Sequence, residues 1–297
     1  MANSNVNDAY TRSIRIQEII RLIVCIIITI ISLLPIYIIV INATRASNDI
    51  TSNGVSLIPS GKLIDNWKIL TSPDTLDGAV VQTFNIGKGY LNSLIIAGSS
   101  TILSVFFSGL TAYGLVVYDF KLKSVARTFI LAIMMIPTQV ISVGFLNFMA
   151  KLGLMNNLLP IILPSIASPS VVFFMLQYMQ SSFPLEIVEA ARIDGTGEFR
   201  TFLQISLPML KPAFAVQAIF AFVASWNNYY TPSMLLVSPK APKTMPMMVT
   251  ALVANDKFSE FGARYLAVAL SVLPVIVVYL ALSKFIVKGV ALGAVKG

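Results

Sequence analysis

Long apolar stretches, separated by polar connections, dominate the hydrophobic pattern of this chain. A helix needs about 20 predominantly apolar residues to cross the hydrocarbon core of a bilayer. Six stretches approach or exceed this length, and none contains Asp, Glu, Lys or Arg: residues 22–41, 91–117, 128–148, 158–178, 213–236 and 266–283. The pattern therefore predicts an all-α integral membrane protein with six transmembrane helices.

The composition agrees with a membrane location and excludes several functions. Only 11% of the 297 residues are charged, whereas soluble proteins have about 25%. The chain has no His and a single Cys, Cys25, which excludes Ser–His and Cys–His catalysis, histidine-containing zinc sites and an internal disulfide. The net charge of +8 comes without the clustered basic patch that nucleic-acid binding requires. We therefore expect no catalytic residues, no metal site and no nucleic-acid partner.

Any energy for transport has to come from outside this chain. Ion-coupled carriers usually hold ionisable groups within their spans, and the six apolar stretches contain none. A nucleotide-binding P-loop requires the pattern G-x4-G-K-[ST], and neither Gly61-Lys62-Leu63 nor Gly87-Lys88-Gly89 satisfies it. The sequence thus predicts a membrane protein that is not itself an enzyme and that binds no ATP or Mg²⁺.

The distribution of basic residues predicts the orientation in the membrane. With the N-terminus in the cytoplasm, the inner segments 1–21, 118–127, 179–212 and 284–297 hold 12 of the 21 Lys and Arg residues, and the outer segments hold the other 9. The positive-inside rule favours this arrangement. It divides the chain into a cytoplasmic N-terminal segment (1–21), a six-span domain (22–283) that includes a cytoplasmic loop (179–212), and a cytoplasmic C-terminal tail (284–297).

The loop between the fourth and fifth apolar stretches predicts two short helices. Ser181 or Ser182 can cap the first helix, which is amphipathic because Leu185, Val188 and Ala191 recur at three-residue spacing. Gly195 stands where a left-handed residue would end this helix, and Thr196 can begin the second. Acidic side chains disfavour an anionic membrane surface and favour contact with a protein, and the loop has four: Glu186, Glu189, Asp194 and Glu198.

Seven positions of this loop match a known motif without a gap. The pattern E-A-A-x3-G-x9-I-x-L-P runs from Glu189 to Pro208, and it resembles the cytoplasmic coupling motif of binding-protein-dependent ABC importer permeases. Further stretches resemble the maltose-type carbohydrate branch, in its MalG-like subunit: Asn92-Ser93-Leu94, Ala112-Tyr113-Gly114, Ile136-Pro137, Phe183-Pro184, Ser225-Trp226-Asn227 and Gly293-Ala294-Val295-Lys296-Gly297. The resemblance implies the type I ABC importer (MetI-like) permease fold with a cytoplasmic coupling helix.

The resemblance also implies a division of labour among subunits in a bacterial inner or plasma membrane. Two different permeases form the pathway as a heterodimer, and two ATPase subunits, which hold ATP and Mg²⁺, each receive one coupling helix. An extracellular solute-binding protein delivers the solute. In this chain the implied coupling residues are Glu189, whose family counterpart pairs with an ATPase Arg, together with Ala190, Ala191, Gly195, Ile205, Leu207 and Pro208.

Three other regions have expected partners by the same resemblance. Lys296 in the C-terminal tail would contact the ATPase. The outer loop at Asn255, Asp256 and Lys257 would contact the binding protein. Polar and aromatic residues in the third and fifth spans are candidates for the solute pathway, although none has a spacing that singles it out: Trp226, Asn227, Tyr229 and Asn147.

The leading hypothesis is the permease subunit of an ATP-driven oligosaccharide importer. The long first outer loop and the C-terminal ending favour a sugar as cargo. An ABC permease for an amino acid, peptide or polyamine is the first alternative, because it would carry the same coupling loop. An ion-coupled carrier or channel would need ionisable groups in its spans, and a membrane-anchored scaffold would need no ATPase pair.

Overall fold

The described residues are mostly helical and include no β-strand. A computed structural model describes residues 2–72, 85–256 and 258–294, with side chains over 15–72, 85–256 and 258–285. The α-helices, in chain order, are α1 (Ala2–Asn42), α2 (Ser47–Asn53), α3 (Leu63–Thr71), α4 (Ile86–Val117), α5 (Lys123–Met134), α6 (Thr138–Lys151), α7 (Leu159–Ile162), α8 (Pro169–Ser182), α9 (Glu186–Ile193), α10 (Glu198–Thr201), α11 (Leu207–Met209), α12 (Lys211–Trp226), α13 (Tyr230–Leu235), α14 (Met245–Val253) and α15 (Phe261–Ala294). A 3-10 turn (Leu163–Ile166) follows α7, and a π-helical turn (Phe202–Ser206) follows α10.

Four helical segments of the described chain are long and apolar enough to cross a membrane: Arg15–Asn42, Ile86–Val117, Leu159–Ser182 and Phe261–Phe285. Two bent helix pairs bring the number to six if each pair is one span. α5 and α6 meet at 94°, and the segment Glu198–Met209 meets α12 at 82°. The predicted all-α membrane architecture is therefore confirmed.

The third, fourth and fifth predicted spans are not continuous helices. α5 ends before Pro137, which caps α6, because proline lacks an N–H and disfavours helical backbone in the residue before it. The fourth span passes from α7 through the 3-10 turn and restarts at Pro169 in α8. The predicted end of the fifth span at residue 236 is wrong, since α12 ends at Trp226 and α13 is a separate short helix.

One compact unit of the chain lies within residues 1–76 and 256–270. The buried side chain of Asn42 donates from Nδ2 to the carbonyl of Ser56 at 3.0 Å and accepts the Ser56 N–H at 3.0 Å. Asn66 in α3, also buried, donates to two backbone carbonyls at 2.8 and 2.9 Å. Buried amides require such partners, so hydrogen bonds define the path of the polar connection between α1 and α3.

The second unit lies within residues 77–255 and 271–297. Here α4 packs against α8 and α12. A β-carbon on Gly109 would lie 2.3 Å from the Phe214 ring of α12, so the close approach of these helices depends on glycine. Small side chains let membrane helices approach in this way, and the buried face of α4 is rich in them: Ser93, Ala97, Ser100, Ser104, Ser108, Gly109 and Ala112.

Candidate functional site

The predicted coupling loop folds as an elbow, residues 183–210, between α8 and α12. α8 extends to Ser182, so the prediction that Ser181 or Ser182 caps the next helix is wrong. α9 begins at Glu186, and its first turn carries Glu186 and Glu189. Carboxylates in this position interact favourably with the positive end of the helix dipole.

Gly195 ends α9 in the left-handed conformation, as predicted, with φ at +75°. The Thr196 N–H donates to the Ala191 carbonyl at 2.9 Å, and the Gly195 N–H donates to the Arg192 carbonyl at 3.0 Å. These two bonds form a Schellman motif, which satisfies carbonyls at the end of the helix. The second helix begins at Glu198, with Gly197 as its N-cap, so the predicted start at Thr196 is wrong.

A π-helical turn widens the second half of the elbow before the chain enters α12. The Leu207 N–H donates to the carbonyl of Phe202, five residues earlier. Pro208 has no N–H to donate, and in a regular helix its ring would crowd the carbonyl of Gln204. The wider turn relieves this conflict and precedes the 82° bend into α12.

The inner face of the elbow is anchored in the main apolar core. Val188 of α9 is 1% exposed and Phe202 is fully buried. The ring centroid of Phe202 lies 5.2 Å from that of Tyr113 and 6.1 Å from that of Phe106, both on α4. Burial of each large apolar side chain contributes on the order of 1.5–3 kcal/mol. Separating the elbow from α4 would therefore expose these apolar side chains.

A polar brace, which we define as Tyr118, Arg192 and Glu198, adds a second connection. The Tyr118 hydroxyl donates to Glu198 Oε2 at 2.7 Å, and Arg192 Nε donates to Glu198 Oε1 at 2.7 Å. The Arg192 guanidinium also lies 5.6 Å from the centroid of the Tyr118 ring. Burial, together with the hydrogen bond to Glu198, raises the pKa of Tyr118 to about 12. The hydroxyl therefore keeps its proton and remains a donor at neutral pH.

The sequence contains no signal for this brace. Tyr118 is 80 residues from Glu198 in the chain, and the six-residue separation of Arg192 and Glu198 is not a helical pairing distance. The Arg192 and Glu198 side chains are 40% and 44% exposed, so solvent screening keeps the contribution of the ion pair to stability small. Its value lies in orienting α10 against the end of α4.

The outer face of the elbow is uncovered. The Glu189 side chain is exposed, and no ion pair is formed by it among the described residues. Ile193 is 87% exposed and Phe199 is 58% exposed. Exposed apolar side chains grouped beside charged ones are typical of protein contact surfaces, and an exposed carboxylate can accept two hydrogen bonds from an arginine. This face is therefore suited to receive a partner protein.

The two alanines of the predicted motif point in opposite directions. Ala190 is exposed, whereas Ala191 is 4% exposed and faces the inside of the elbow. Of the pair, only Ala190 is placed for close approach by a partner. Leu207 packs partly against the core, Ile205 is half-buried and Pro208 is exposed. Their role in coupling stays a prediction.

The residues predicted for the solute pathway are dispersed. Trp226 is 1% exposed, its Nε1 donates to the Ser271 carbonyl at 2.9 Å, and its ring stacks on Phe222 with centroids 5.8 Å apart. These contacts are those of a packing side chain. The other three candidates are exposed: Asn227, Tyr229 and Asn147.

The structure describes only two of the four residues predicted to contact the binding protein or the ATPase. Asn255 is half-buried just after α14, and Asp256 is exposed. Lys257 and Lys296 lie outside the described residues. The contacts of all four stay predictions.

Apolar spans that position an anchored elbow with an uncovered outer face define a multi-pass membrane protein. Residues 104–292 match the family described as the inner membrane component of binding-protein-dependent transport systems. The chain belongs to this family.

Individual relatives are similar over most of their length. The chain is 32% identical to the arabinooligosaccharides transport system permease protein AraQ of Bacillus subtilis (strain 168), over 89% of this chain and 91% of that protein. It is 30% identical to the lactose transport system permease protein LacG of Rhizobium radiobacter, over 83% and 87%. A chain from the crystal structure of a bacterial ABC transporter that imports the acidic polysaccharide alginate has the same fold, with a TM-score of 0.75, 22% identity and coverage of 92% and 97%.

Proposed function

We propose that this chain is one of two permease subunits in an ATP-driven ABC importer for a carbohydrate. Its relatives named for arabinooligosaccharides and lactose support this cargo class. The observation that carries the coupling role is the elbow, which is locked into the core on one face and uncovered on the other. The partners are a second permease, two ATPase subunits and an extracellular solute-binding protein, and both termini lie in the cytoplasm.

In this mechanism the elbow acts as a lever between the ATPase and the membrane helices. ATP binding and hydrolysis take place in the partner subunits, and this chain supplies no catalytic residue. Movement of the ATPase displaces the outer face of the elbow, where Glu189 accepts hydrogen bonds from an ATPase arginine. The displacement passes through Phe202 and the brace to α4. The pathway between the two permeases then changes from open to the cytoplasm to open to the outside.

The packing explains why the elbow would move as a unit. Pulling α9 and the π-helical turn away from α4 would expose Val188 and Phe202, each at a cost of about 1.5–3 kcal/mol. Breaking the brace would also remove the hydrogen bond between Tyr118 and Glu198, which contributes about 0.5–1.5 kcal/mol to stability. Moving the elbow together with α4 avoids both losses.

The test is co-purification and transport with a matched pair of variants. The tagged chain, expressed with its partner genes, should retain the ATPase and should support ATP-dependent sugar uptake in proteoliposomes that are supplied with the binding protein. Glu189→Gln should weaken ATPase retention by about tenfold, since a hydrogen bond to a charged group contributes about 1.5–3 kcal/mol. Glu186→Gln, in the same exposed turn of α9, should have little effect.

Two results would overturn the proposal. One is a purified chain that accumulates solute in liposomes against a gradient without any ATPase subunit. The other is a full complex in which Glu189→Gln and Glu186→Gln behave alike.

A further inference from the structure

A cavity of about 370 Å³ lies between α4, the interrupted fourth span and α12. Ser100 of α4, one of its lining residues, is 14 residues after Ile86 and 17 residues before Val117, the ends of that helix. The cavity is therefore close to the middle of the span, where water is normally excluded. None of the residues predicted for the solute pathway lines it.

The lining is polar but uncharged. It contains six serines and two amide side chains, and no Asp, Glu, Lys or Arg is among its lining residues. Serine hydroxyls and primary amides both donate and accept hydrogen bonds. These groups are Ser100, Ser104, Ser165, Ser168, Ser170, Ser225, Gln217 and Asn228.

One of these side chains is buried without a partner. Ser100 is 6% exposed, and its hydroxyl oxygen has no hydrogen-bond partner in the described part of the chain. Gln217 is 7% exposed and lines the same cavity. Buried polar groups nearly always have a partner, because an unmade bond costs the full desolvation of the group. A molecule with hydrogen-bonding groups that entered the cavity would therefore supply the missing partner.

The backbone beside the cavity is also irregular. Between the 3-10 turn and α8, Ser168 adopts an extended conformation with φ at −110° and ψ at 92°. Its carbonyl accepts from the hydroxyl of Ser108 at 3.4 Å. Non-helical backbone at membrane depth is tolerated where it lines a cavity, and interrupted helices form the solute sites of many transporters.

We propose that this cavity binds an uncharged, hydroxyl-rich solute, with Gln217 as the central amide contact. The inference rests on the proposed function and adds the cargo class: a neutral saccharide rather than an acidic one. Sugar hydroxyls match the lining because they also donate and accept. A carboxylate or phosphate would lose its hydration there without meeting a cation, which is strongly unfavourable.

The test measures binding to the complete transporter in detergent, without the binding protein, so that the selectivity of that protein does not contribute. The probes are labelled arabinotriose and lactose, which are neutral, and trigalacturonate, which is anionic. Both neutral sugars should bind more tightly than trigalacturonate. Gln217→Leu and Ser100→Ala should weaken neutral-sugar binding by about threefold to tenfold, as expected for one lost hydrogen bond, and Gln217→Asn should restore part of it.

Thr111→Val is the matched control. Thr111 lies on α4, is exposed, and donates to the carbonyl of Phe107 at 2.8 Å, outside the cavity. This variant should bind the probes as the unsubstituted chain does. The amount of permease in the membrane is measured for every variant. If Gln217→Leu does not accumulate, Ser100→Ala and Gln217→Asn still test the cavity.

The outcomes separate this inference from the proposed function. Tighter binding of trigalacturonate, no binding of any probe by a transporter that is active in ATP-dependent sugar uptake, or unchanged binding in Gln217→Leu and Ser100→Ala would overturn the cavity assignment alone. A complex that shows no ATP-dependent uptake of any of the three probes would overturn the proposed carbohydrate import, and this inference with it.

Discussion

Substitution of Gly195 can separate the backbone role of this residue from its contact with a partner. Gly195 has a φ of +75°, a conformation that costs an ordinary residue about 1–2 kcal/mol but that Asn and Asp adopt more readily. No atom lies within 4 Å of the position that an added β-carbon would take. Within this chain, Gly195→Ala should therefore cost only the free energy of holding a non-glycine residue at positive φ. For Gly195→Asn this cost should be smaller.

A role in the turn and a role in partner contact predict different rankings of the Gly195 variants by the damage they cause. If the glycine serves only the turn, Gly195→Ala should be the most damaging change, with a loss of about 1 kcal/mol in the free energy of unfolding. If the ATPase approaches the backbone of the elbow, Gly195→Asn and Gly195→Asp should release the ATPase although the permease stays folded. We expect the second order, with Gly195→Asp the most severe because it also adds a negative charge to the exposed surface of the elbow.

The assay is the ratio of ATPase to permease after affinity purification, measured beside thermal unfolding of the same preparation. Gly153→Asp is the control, because Gly153 also has a positive φ, of +68°, and a β-carbon added there would likewise meet no atom within 4 Å, but it follows α6 and is outside the elbow. We expect Gly153→Asp to keep the ATPase. A Gly195→Asp permease that retains the full ATPase complement and transports normally would refute the docking assignment.

Three further predictions concern the packing behind the elbow. Phe202→Ala should lower the free energy of unfolding by about 3–5 kcal/mol, because it empties a fully buried site; a denaturant midpoint unchanged from that of the parent chain would contradict the packing. Tyr118→Phe should lower it by about 0.5–1.5 kcal/mol and speed amide hydrogen exchange around Glu198 without loss of the ATPase; unchanged exchange would mean that the brace does not order α10. Gly109→Ala should cost about 1–3 kcal/mol by overpacking Phe214, and Phe214→Ala should relieve part of that loss in a double-mutant cycle of thermal stabilities; strictly additive losses would mean that the loss in Gly109→Ala does not come from the contact with Phe214.

The predicted spans show how far hydrophobic pattern alone can go. The apolar stretches identified the membrane class correctly, because a lipid environment leaves the backbone almost no choice but the helix. They did not show the 94° bend between α5 and α6 or the end of α12 at Trp226. A helix interrupted by proline or by a pair of asparagines stays apolar in composition, so the average hydrophobicity of the stretch does not change.

The elbow shows the same division at the level of single residues. The left-handed turn at Gly195 was predictable, because few other residues adopt positive φ without strain. The spacing of Val188 and Ala191 placed them on one face of α9, but it could not show that this face packs against the core while Ala190 stays exposed. The brace and the cavity were also out of reach, because they join side chains that are far apart in the chain.

The sequence by itself determined that this protein is a helical membrane protein with a loop of a known family, and it predicted an energy source outside the chain. Each of these conclusions depends on local properties: length of apolar runs, absence of ionisable groups, and spacing within one loop. Only the tertiary structure decided which face of the elbow is uncovered and that Ser100 and Gln217 meet in one uncharged cavity. Both features arise from how α4, α8 and α12 pack together. Packing brings together residues that are far apart in the chain, and a local sequence pattern does not show such contacts.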